Sequence, residues 1–193
     1  NASGFTVTAP STAIAGLSIT GFPSHGIHFN GAGQSEVLRN WIGVRADGSM
    51  LGNGSMGIYV VNSSNNQLSQ NVIGGSGFAG IYFFGGSNGN EVQQNRIGTN
   101  PSGTVAYDNI RGVGFEGSSS ARPTGNAVSL NLISGNLDSG IRMDCGSLCG
   151  AINTHISNNT IGLSAADAPL PNGVGIQLLS SPGTVISDNT ISG

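Results

Sequence analysis

Apolar residues recur in a fixed pattern along almost the whole chain of 193 residues. Two short motifs alternate: Gly-Ile-x-Φ, where Φ is apolar, and Φ-x-x-Asn-x-Ile. The second position of the first motif is held by Ile27, Ile58, Ile81, Val113, Ile141 and Ile176. The second motif ends at Ile42, Ile73, Ile97, Ile133, Ile161 and Ile191, with Ile19 in a degenerate earlier copy. Because apolar and polar residues alternate with a period of two, the pattern predicts short β-strands rather than helices.

The spacing of the motifs predicts a solenoid. The step from an Asn-x-Ile to the next Gly-Ile alternates between 8 residues and 15 or 16 residues, so a coil has 23 residues, or 31 with a long connector. Two coils therefore form the repeat. Strands stacked ~4.8 Å apart place equivalent side chains on top of one another, and we expect about seven such coils in an all-β fold.

The alternation also predicts which side chains form the core. The first strand of each coil turns two apolar residues inward, as in Ile27 and Phe29, and the second strand adds one, as in Val37. An asparagine stands two residues before each terminal isoleucine. Stacked amides can satisfy one another and the turn backbone, so we predict a structural ladder. Its members are Asn40, Asn71, Asn95, Asn131, Asn159 and Asn189.

The outward positions of the first strand contain the richest chemistry. One column runs His28, Tyr59, Tyr82, Gly114, Arg142, Gln177, and the next runs Asn30, Val61, Phe84, Glu116, Asp144, Leu179. Exposed aromatic rings suit the apolar faces of sugars. We therefore predict a ligand-binding surface formed by Tyr59, Tyr82, Phe84 and His28.

The acidic residues of these columns allow two interpretations. Glu116 and Asp144 are expected one coil apart, a spacing that suits a carboxylate pair with one raised pKa, and Arg142 lies on the same side. This makes Glu116, Asp144 and Arg142 candidate catalytic residues. The same three residues would equally form an ordinary surface ion-pair network, which contributes little.

Composition excludes several classes of protein. Charged residues make up 8% of the chain, lysine is absent and the net charge is −3, so no nucleic-acid partner is expected. No apolar stretch is long enough to insert into a membrane. Cys145 and Cys149 lie four residues apart and are interpreted as a disulfide of an oxidising compartment, because a lone pair of cysteines makes a poor zinc site. We therefore expect a secreted or cell-surface location.

No cofactor and no metal site is predicted. His25 and His28 lie near the start of the solenoid and His155 lies at its far end, so they are not expected to share a metal ion. Asp47, Asp108 and Asp167 recur in the long connectors, which leaves calcium as an alternative, although each is expected two coils, roughly 10 Å, from the next.

The repeated N-x-I-G and G-I-x-Φ pattern resembles the right-handed parallel β-helix repeat family. The connectors IGVRADGSMLGN and IGTNPSGTVAYDN resemble insertions common in large secreted bacterial β-helix proteins. The resemblance covers nearly all of residues 12 to 193 and implies a right-handed parallel β-helix. That architecture hosts pectate lyases, polygalacturonases, alginate epimerases, tailspikes and adhesins. None of the catalytic motifs of these enzymes is present, so no family catalytic residue is assigned to this chain.

We expect residues 1–193 to form a single β-helix domain, a segment of a longer protein with flanking domains. The leading hypothesis is a non-enzymatic extracellular module for surface display that contacts a polysaccharide or cell-surface glycan. The alternative is a polysaccharide lyase or glycoside hydrolase acting on an acidic polysaccharide through Glu116, Asp144 and Arg142. A trimeric host-recognition spike is a third hypothesis.

Overall fold

The fold is a parallel β-helix with three sheets, and each coil contributes one strand to every sheet. A computed structural model describes residues 2–117, 121–143 and 150–193. Within these ranges each sheet has seven strands, and every strand pairs in parallel with its equivalents in the neighbouring coils. The predicted fold class, a β-helix of about seven coils, is confirmed. No helix in the described ranges is long and apolar enough to cross a membrane.

The strands are numbered along the chain. The first sheet contains β1 (Phe5–Val7), β4 (Ile27–Asn30), β7 (Met56–Val61), β10 (Ala79–Phe84), β13 (Arg111–Glu116), β16 (Ser139–Met143) and β19 (Val174–Leu178). The second contains β2 (Ala13–Ala15), β5 (Glu36–Leu38), β8 (Gln67–Ser69), β11 (Glu91–Gln93), β14 (Ala127–Ser129), β17 (His155–Ser157) and β20 (Val185–Ser187). The third contains β3 (Ser18–Ile19), β6 (Trp41–Ile42), β9 (Val72–Ile73), β12 (Arg96–Ile97), β15 (Leu132–Ile133), β18 (Thr160–Ile161) and β21 (Thr190–Ile191).

The core is a column of aliphatic and aromatic side chains that fills the space between the three sheets. Ile58 pairs with Ile81, which pairs with Val113, and all three are completely buried. Phe83 and Phe115 stack with their ring centroids 4.9 Å apart. Because each coil contributes the same inward positions, every apolar side chain packs on its equivalent above and below.

A ladder of buried asparagines occupies the corner between the second and third sheets. The Nδ2 of Asn71 donates to the Oδ1 of Asn95 at 3.0 Å and to the carbonyl of Val37 in the preceding coil at 2.9 Å. The backbone N–H of Asn71 donates to the same Oδ1 at 2.9 Å. The same contacts recur from Asn40 to Asn189. Each amide thus satisfies backbone groups that would otherwise be buried without partners.

Two further ladders, which sequence reasoning did not predict, occupy the other two corners. Asn66, Asn90 and Asn126 stack between the first and second sheets, with Nδ2 to Oδ1 distances of 2.8 and 3.1 Å. Asn109, Asn136 and Asn172 stack between the third and first sheets at 3.0 and 2.9 Å. Asn66, Asn90 and Asn126 each stand directly before a strand of the second sheet, a regularity that was present in the sequence.

The long connectors explain why coil length alternates. Each one is a narrow ribbon closed by an antiparallel bridge, as between Val44 and Met50. The second connector folds back over the preceding coil, where the carbonyl of Tyr107 accepts a hydrogen bond from the backbone of Gly75 at 3.0 Å. Each ribbon consists of two chain segments side by side, so it takes up the height of two coils along the solenoid axis. A long connector on every coil would therefore not fit.

The glycine of the N-x-I-G motif is required at the start of each long connector. Gly43 has a φ of +76°, and a Cβ at this position would lie inside the contact distance of the Gly74 carbonyl in the next coil. Gly98 and Gly162 repeat both features. The motif glycine therefore allows both a left-handed turn and a close approach of two backbones.

Replacing a ladder asparagine tests the stabilising role of the amides. Asn95→Ala removes two bonds accepted from Asn71 and two donated by its own amide, and we expect about 2–4 kcal/mol lower stability in urea unfolding. Asn30→Ala, at an exposed strand end, is the matched control and should change stability by less than about 0.5 kcal/mol. Equal effects of the two substitutions would contradict the ladder's role.

Gly43 and Gly48 of the first connector both have a left-handed φ, so substituting each one measures the cost of backbone strain separately from the cost of a close contact between coils. Gly48 has a φ of +85° with open space where a Cβ would lie, whereas Gly43 faces the next coil. We expect Gly48→Ala to cost about 1 kcal/mol and Gly43→Ala more than about 3 kcal/mol. Thermal unfolding of the two variants measures the difference, and similar melting temperatures would refute the close-approach argument.

Candidate functional site

The outer surface of the first sheet gathers aromatic, imidazole and charged side chains into one band. We call this band the aromatic–charged face. It consists of His25, His28, Tyr59, Phe78, Tyr82, Arg111, Glu116, Asp138 and Arg142. The strand register aligns His28 with Tyr59, Tyr59 with Tyr82 and Gly114 with Arg142, so the face runs along the solenoid axis.

Three rings form one end of the face. His28 stacks on Tyr59, with centroids 5.2 Å apart and planes 18° apart. His25 lies 4.9 Å from Tyr59 and 5.4 Å from His28. All three side chains are half-buried, so each ring is held by its neighbours while part of it remains open to solvent.

The surroundings of the two histidines favour the neutral form of both imidazoles. Burial lowers the pKa of His25, and the adjacent His28 lowers it further; burial also lowers the pKa of His28. The backbone N–H of Met56 donates to Nδ1 of His25 at 3.3 Å, which places the proton of the neutral ring on Nε2. The pKa of the Tyr59 hydroxyl is raised by burial and by the negative charge of Glu116, so it stays protonated and able to donate.

Tyr82 links the aromatic end to the first carboxylate. This residue is 3% exposed, and its ring crosses Gly114 of the next strand, where a Cβ would collide with the ring carbons. The hydroxyl donates to Oε2 of Glu116. Gly114 therefore leaves the space through which Tyr82 reaches Glu116, and Tyr82 holds that carboxylate in place.

An ion-pair cluster forms the other end. Asp138 Oδ2 accepts from Nη1 of Arg142 at 3.0 Å and lies 3.4 Å from Nε of Arg111. The Arg111 guanidinium stacks over Phe78, 4.7 Å from the ring centroid, and Phe78 meets Tyr82 edge to face at 5.4 Å. Since such surface pairs contribute only about 1 kcal/mol or less, their main effect here is to orient the two arginines.

The structure brings together most of the predicted site residues. His28 and Tyr59 are in direct contact, and Phe84 is half-buried in the adjacent column, on the same strand as Tyr82. The expectation that Tyr82 is an exposed ring is wrong, because Gly114 lets it fold down onto the next strand.

Several predicted positions lie outside the described residues. Asp144, Cys145 and Cys149 belong to this group, so the carboxylate pair and the disulfide remain predictions. Arg142 and Glu116 are described, and each contacts a residue other than its predicted partner: Asp138 and Tyr82, respectively.

Four members of the face were not among the predicted site residues: His25, Phe78, Arg111 and Asp138. Each stands one or two residues before the glycine of a Gly-Ile motif or its variant. The predicted outward columns contain only positions that follow the motif's isoleucine. All four lie two or three residues before the motif's isoleucine or valine, at positions that the predicted columns do not reach.

The lowered histidine pKa values predict weaker stability in acid. The unfolded chain binds protons more readily than the folded one below the ordinary histidine pKa of about 6.5, so stability is complete above this pH and falls as the pH drops through it. We expect a His25→Gln/His28→Gln double variant to lose less stability than the wild type between about pH 7.5 and pH 5. Urea unfolding at each pH measures this, and equal pH slopes would contradict it.

Solved structures with this fold include enzymes and a tailspike. A double mutant of the periplasmic alginate epimerase AlgG is 16% identical, with a TM-score of 0.70 over 99% of this chain and 48% of that one. The Dettilon tailspike protein is 21% identical, with a TM-score of 0.69 over 98% of this chain and 36% of that one. An alginate lyase from Paenibacillus sp. str. FPU-7 is 15% identical, with a TM-score of 0.54 over 99% of this chain and 75% of that one.

These similarities show that the chain shares the right-handed parallel β-helix fold. The chain spans less than half the length of the epimerase and of the tailspike. No curated protein matches the chain in sequence. Residues 1–102 match the family model described as "Periplasmic copper-binding protein (NosD)".

The described residues do not group imidazole, thiolate and carboxylate side chains into a copper site on this face. Copper in proteins is bound by imidazole, thiolate and thioether groups. Within residues 2–117, 121–143 and 150–193, no three His, Cys, Asp or Glu side chains are grouped to hold a metal ion. In the hydrogen-bonded tautomer of His25, Nδ1 accepts from the Met56 N–H and Nε2 carries the proton, so neither nitrogen has a free lone pair.

The family assignment rests on sequence rather than on a metal site. The family model matches the first 102 residues, more than half of the chain, including its first three complete Gly-Ile repeats. The chain therefore belongs to the NosD family of parallel β-helix proteins.

Proposed function

We propose that the chain is a non-enzymatic β-helix module, located outside the cytoplasm, that binds a polysaccharide along the aromatic–charged face. The stacked, half-exposed rings of His28 and Tyr59 carry this proposal. Such rings offer flat apolar surface to sugar rings, while the neighbouring imidazole nitrogens and hydroxyl offer hydrogen bonds.

The direction of the face suits a polymer. Its members lie on successive strands or just before them, and the strand separation of ~4.8 Å is comparable to the length of one pyranose unit. A chain lying along the solenoid axis therefore meets a new side chain at each sugar. From His28 on β4 to Arg142 on β16 the face crosses five strands, which is enough for several sugar units.

The arginine end favours acidic sugars. Arg111 and Arg142 converge on the carboxylate of Asp138, and among the described residues Arg111 contacts that carboxylate through Nε alone. Guanidinium groups bind carboxylates with paired, charge-assisted hydrogen bonds. A uronate unit placed over this cluster would accept from the remaining N–H groups of Arg111.

The relatives support the class of ligand and the location. Two structures with this fold are named as an alginate epimerase and an alginate lyase, and the family description names a periplasmic protein. A polysaccharide partner and a periplasmic or extracellular location are consistent with both.

Binding is favoured over catalysis by the state of the charged groups. Glu116 accepts a hydrogen bond from the Tyr82 hydroxyl, and Arg142 is engaged by Asp138. These two of the three candidate catalytic residues are thus tied into protein contacts. A lyase or hydrolase that uses Glu116, Asp144 and Arg142 is the alternative.

Single substitutions on a glycan array test the proposal. We expect wild-type protein to bind an acidic polysaccharide, and Tyr59→Ala and His28→Ala each to weaken binding by about tenfold, because the stacking surface is lost. His155→Ala changes an exposed histidine on the second sheet and is the matched control, with no loss expected. Unchanged binding in both test variants would refute the assignment of this face.

Glu116→Gln separates binding from catalysis. We expect the wild type to leave the bound polymer intact, and Glu116→Gln to retain binding, since Gln can still accept from Tyr82. Polymer length is followed by size-exclusion chromatography after incubation. Depolymerisation by the wild type that disappears in Glu116→Gln while binding persists would establish the enzymatic alternative.

A further inference from the structure

A second cleft lies on the third sheet, away from the aromatic–charged face. It opens between the strand containing Trp41 and the first long connector. Its lining consists of Gly16, Leu17, Ser18, Arg39, Trp41 and Ala46. Trp41 is half-buried in the wall, and Leu17 and Ala46 add exposed apolar surface beside it.

The fold holds this cleft in a fixed shape. Ser18 donates its hydroxyl to the carbonyl of Val44 at 2.8 Å, which fixes the connector against the sheet. Arg39 stands immediately before Asn40 of the first ladder, with a φ of +54°, and its backbone N–H donates to the carbonyl of Ser69 at 3.2 Å. Because the backbone of both walls is held by these bonds, a ligand would meet a preformed site.

The polar groups of the cleft are open to a ligand. Among the described residues, neither the guanidinium of Arg39 nor the indole N–H of Trp41 has a hydrogen-bond partner. No carboxylate lines the cleft. Asp47 lines a neighbouring depression that Trp41 also lines, and its carboxylate accepts from the backbone N–H and the hydroxyl of Ser49 at 2.8 and 2.6 Å. The cleft therefore combines a flat ring, a free donor and an unpaired positive charge.

We propose that the Trp41 cleft is a separate binding site for a carboxylate-bearing saccharide. The sugar ring stacks on the indole, and its carboxylate accepts hydrogen bonds from the guanidinium of Arg39. This site does not share residues with the aromatic–charged face, so binding here can be tested independently of the function proposed above.

The chain has a single tryptophan, so fluorescence reports on this cleft alone. The probe is an oligogalacturonate of defined length, titrated into the protein, with a neutral cello-oligosaccharide of equal length as the comparison. We expect a saturable change in tryptophan emission with the acidic sugar and none with the neutral one.

A pair of arginine variants makes the test specific. Arg39→Gln should weaken the fluorescence-detected affinity about tenfold or more, the loss typical of a hydrogen bond between charged groups. Arg45→Gln is the matched control, because Arg45 is exposed nearby, bonds the hydroxyl of Ser49 at 3.3 Å and does not line the cleft. It should bind as the wild type does.

Tyr59→Ala distinguishes this site from the aromatic–charged face. We expect this variant to keep the full tryptophan response, even if its binding on the glycan array is lost. A response abolished by Tyr59→Ala, an equal response to the neutral sugar, or equal affinities of the two arginine variants would each overturn the proposal. Absence of any response in the wild type would also overturn it, without bearing on the other face.

Discussion

The in-register stacking of coils, held by buried asparagines, is the constraint on which the rest of the structure depends. Each corner of a coil buries backbone groups that no sheet can satisfy. The amides of Asn71, Asn90 and Asn136 and their equivalents bond these groups and one another. Since an unsatisfied buried group costs about 1–3 kcal/mol, a coil shifted by one residue would lose these bonds and turn its core residues outward.

Fixed register places the outer side chains as firmly as the inner ones. The stack of His28 on Tyr59 exists because β4 and β7 pair these two residues directly. Tyr82 reaches Glu116 because the next strand presents glycine at the aligned position. The strand-borne part of the aromatic–charged face is thus a by-product of the same register that forms the core.

The connectors turn the third sheet into a different kind of surface. The first sheet presents a long face, whereas the third is partly covered by ribbons that fold back over every second coil. Tyr107 donates its hydroxyl to the carbonyl of Gly48 at 2.9 Å, so neighbouring connectors also support one another. Clefts form beside these ribbons, and the one at Trp41 combines chemistry suited to an anionic sugar. One solenoid therefore presents an extended surface on one side and a small preformed site on another.

The sequence by itself determined the repeat, the all-β fold, the inward columns and the alignment of His28 with Tyr59. These follow from local periodicity, because a period of two fixes the direction of each side chain and the motif spacing fixes its height in the stack. The burial of Tyr82, the sharing of Asp138 by two arginines and the cleft at Trp41 were decided only by the tertiary structure. Each depends on which atoms meet across coils that are far apart in sequence, such as the ring of Tyr82 over Gly114. Period and spacing predict that such residues are neighbours, but the space available and the charges nearby decide how they touch.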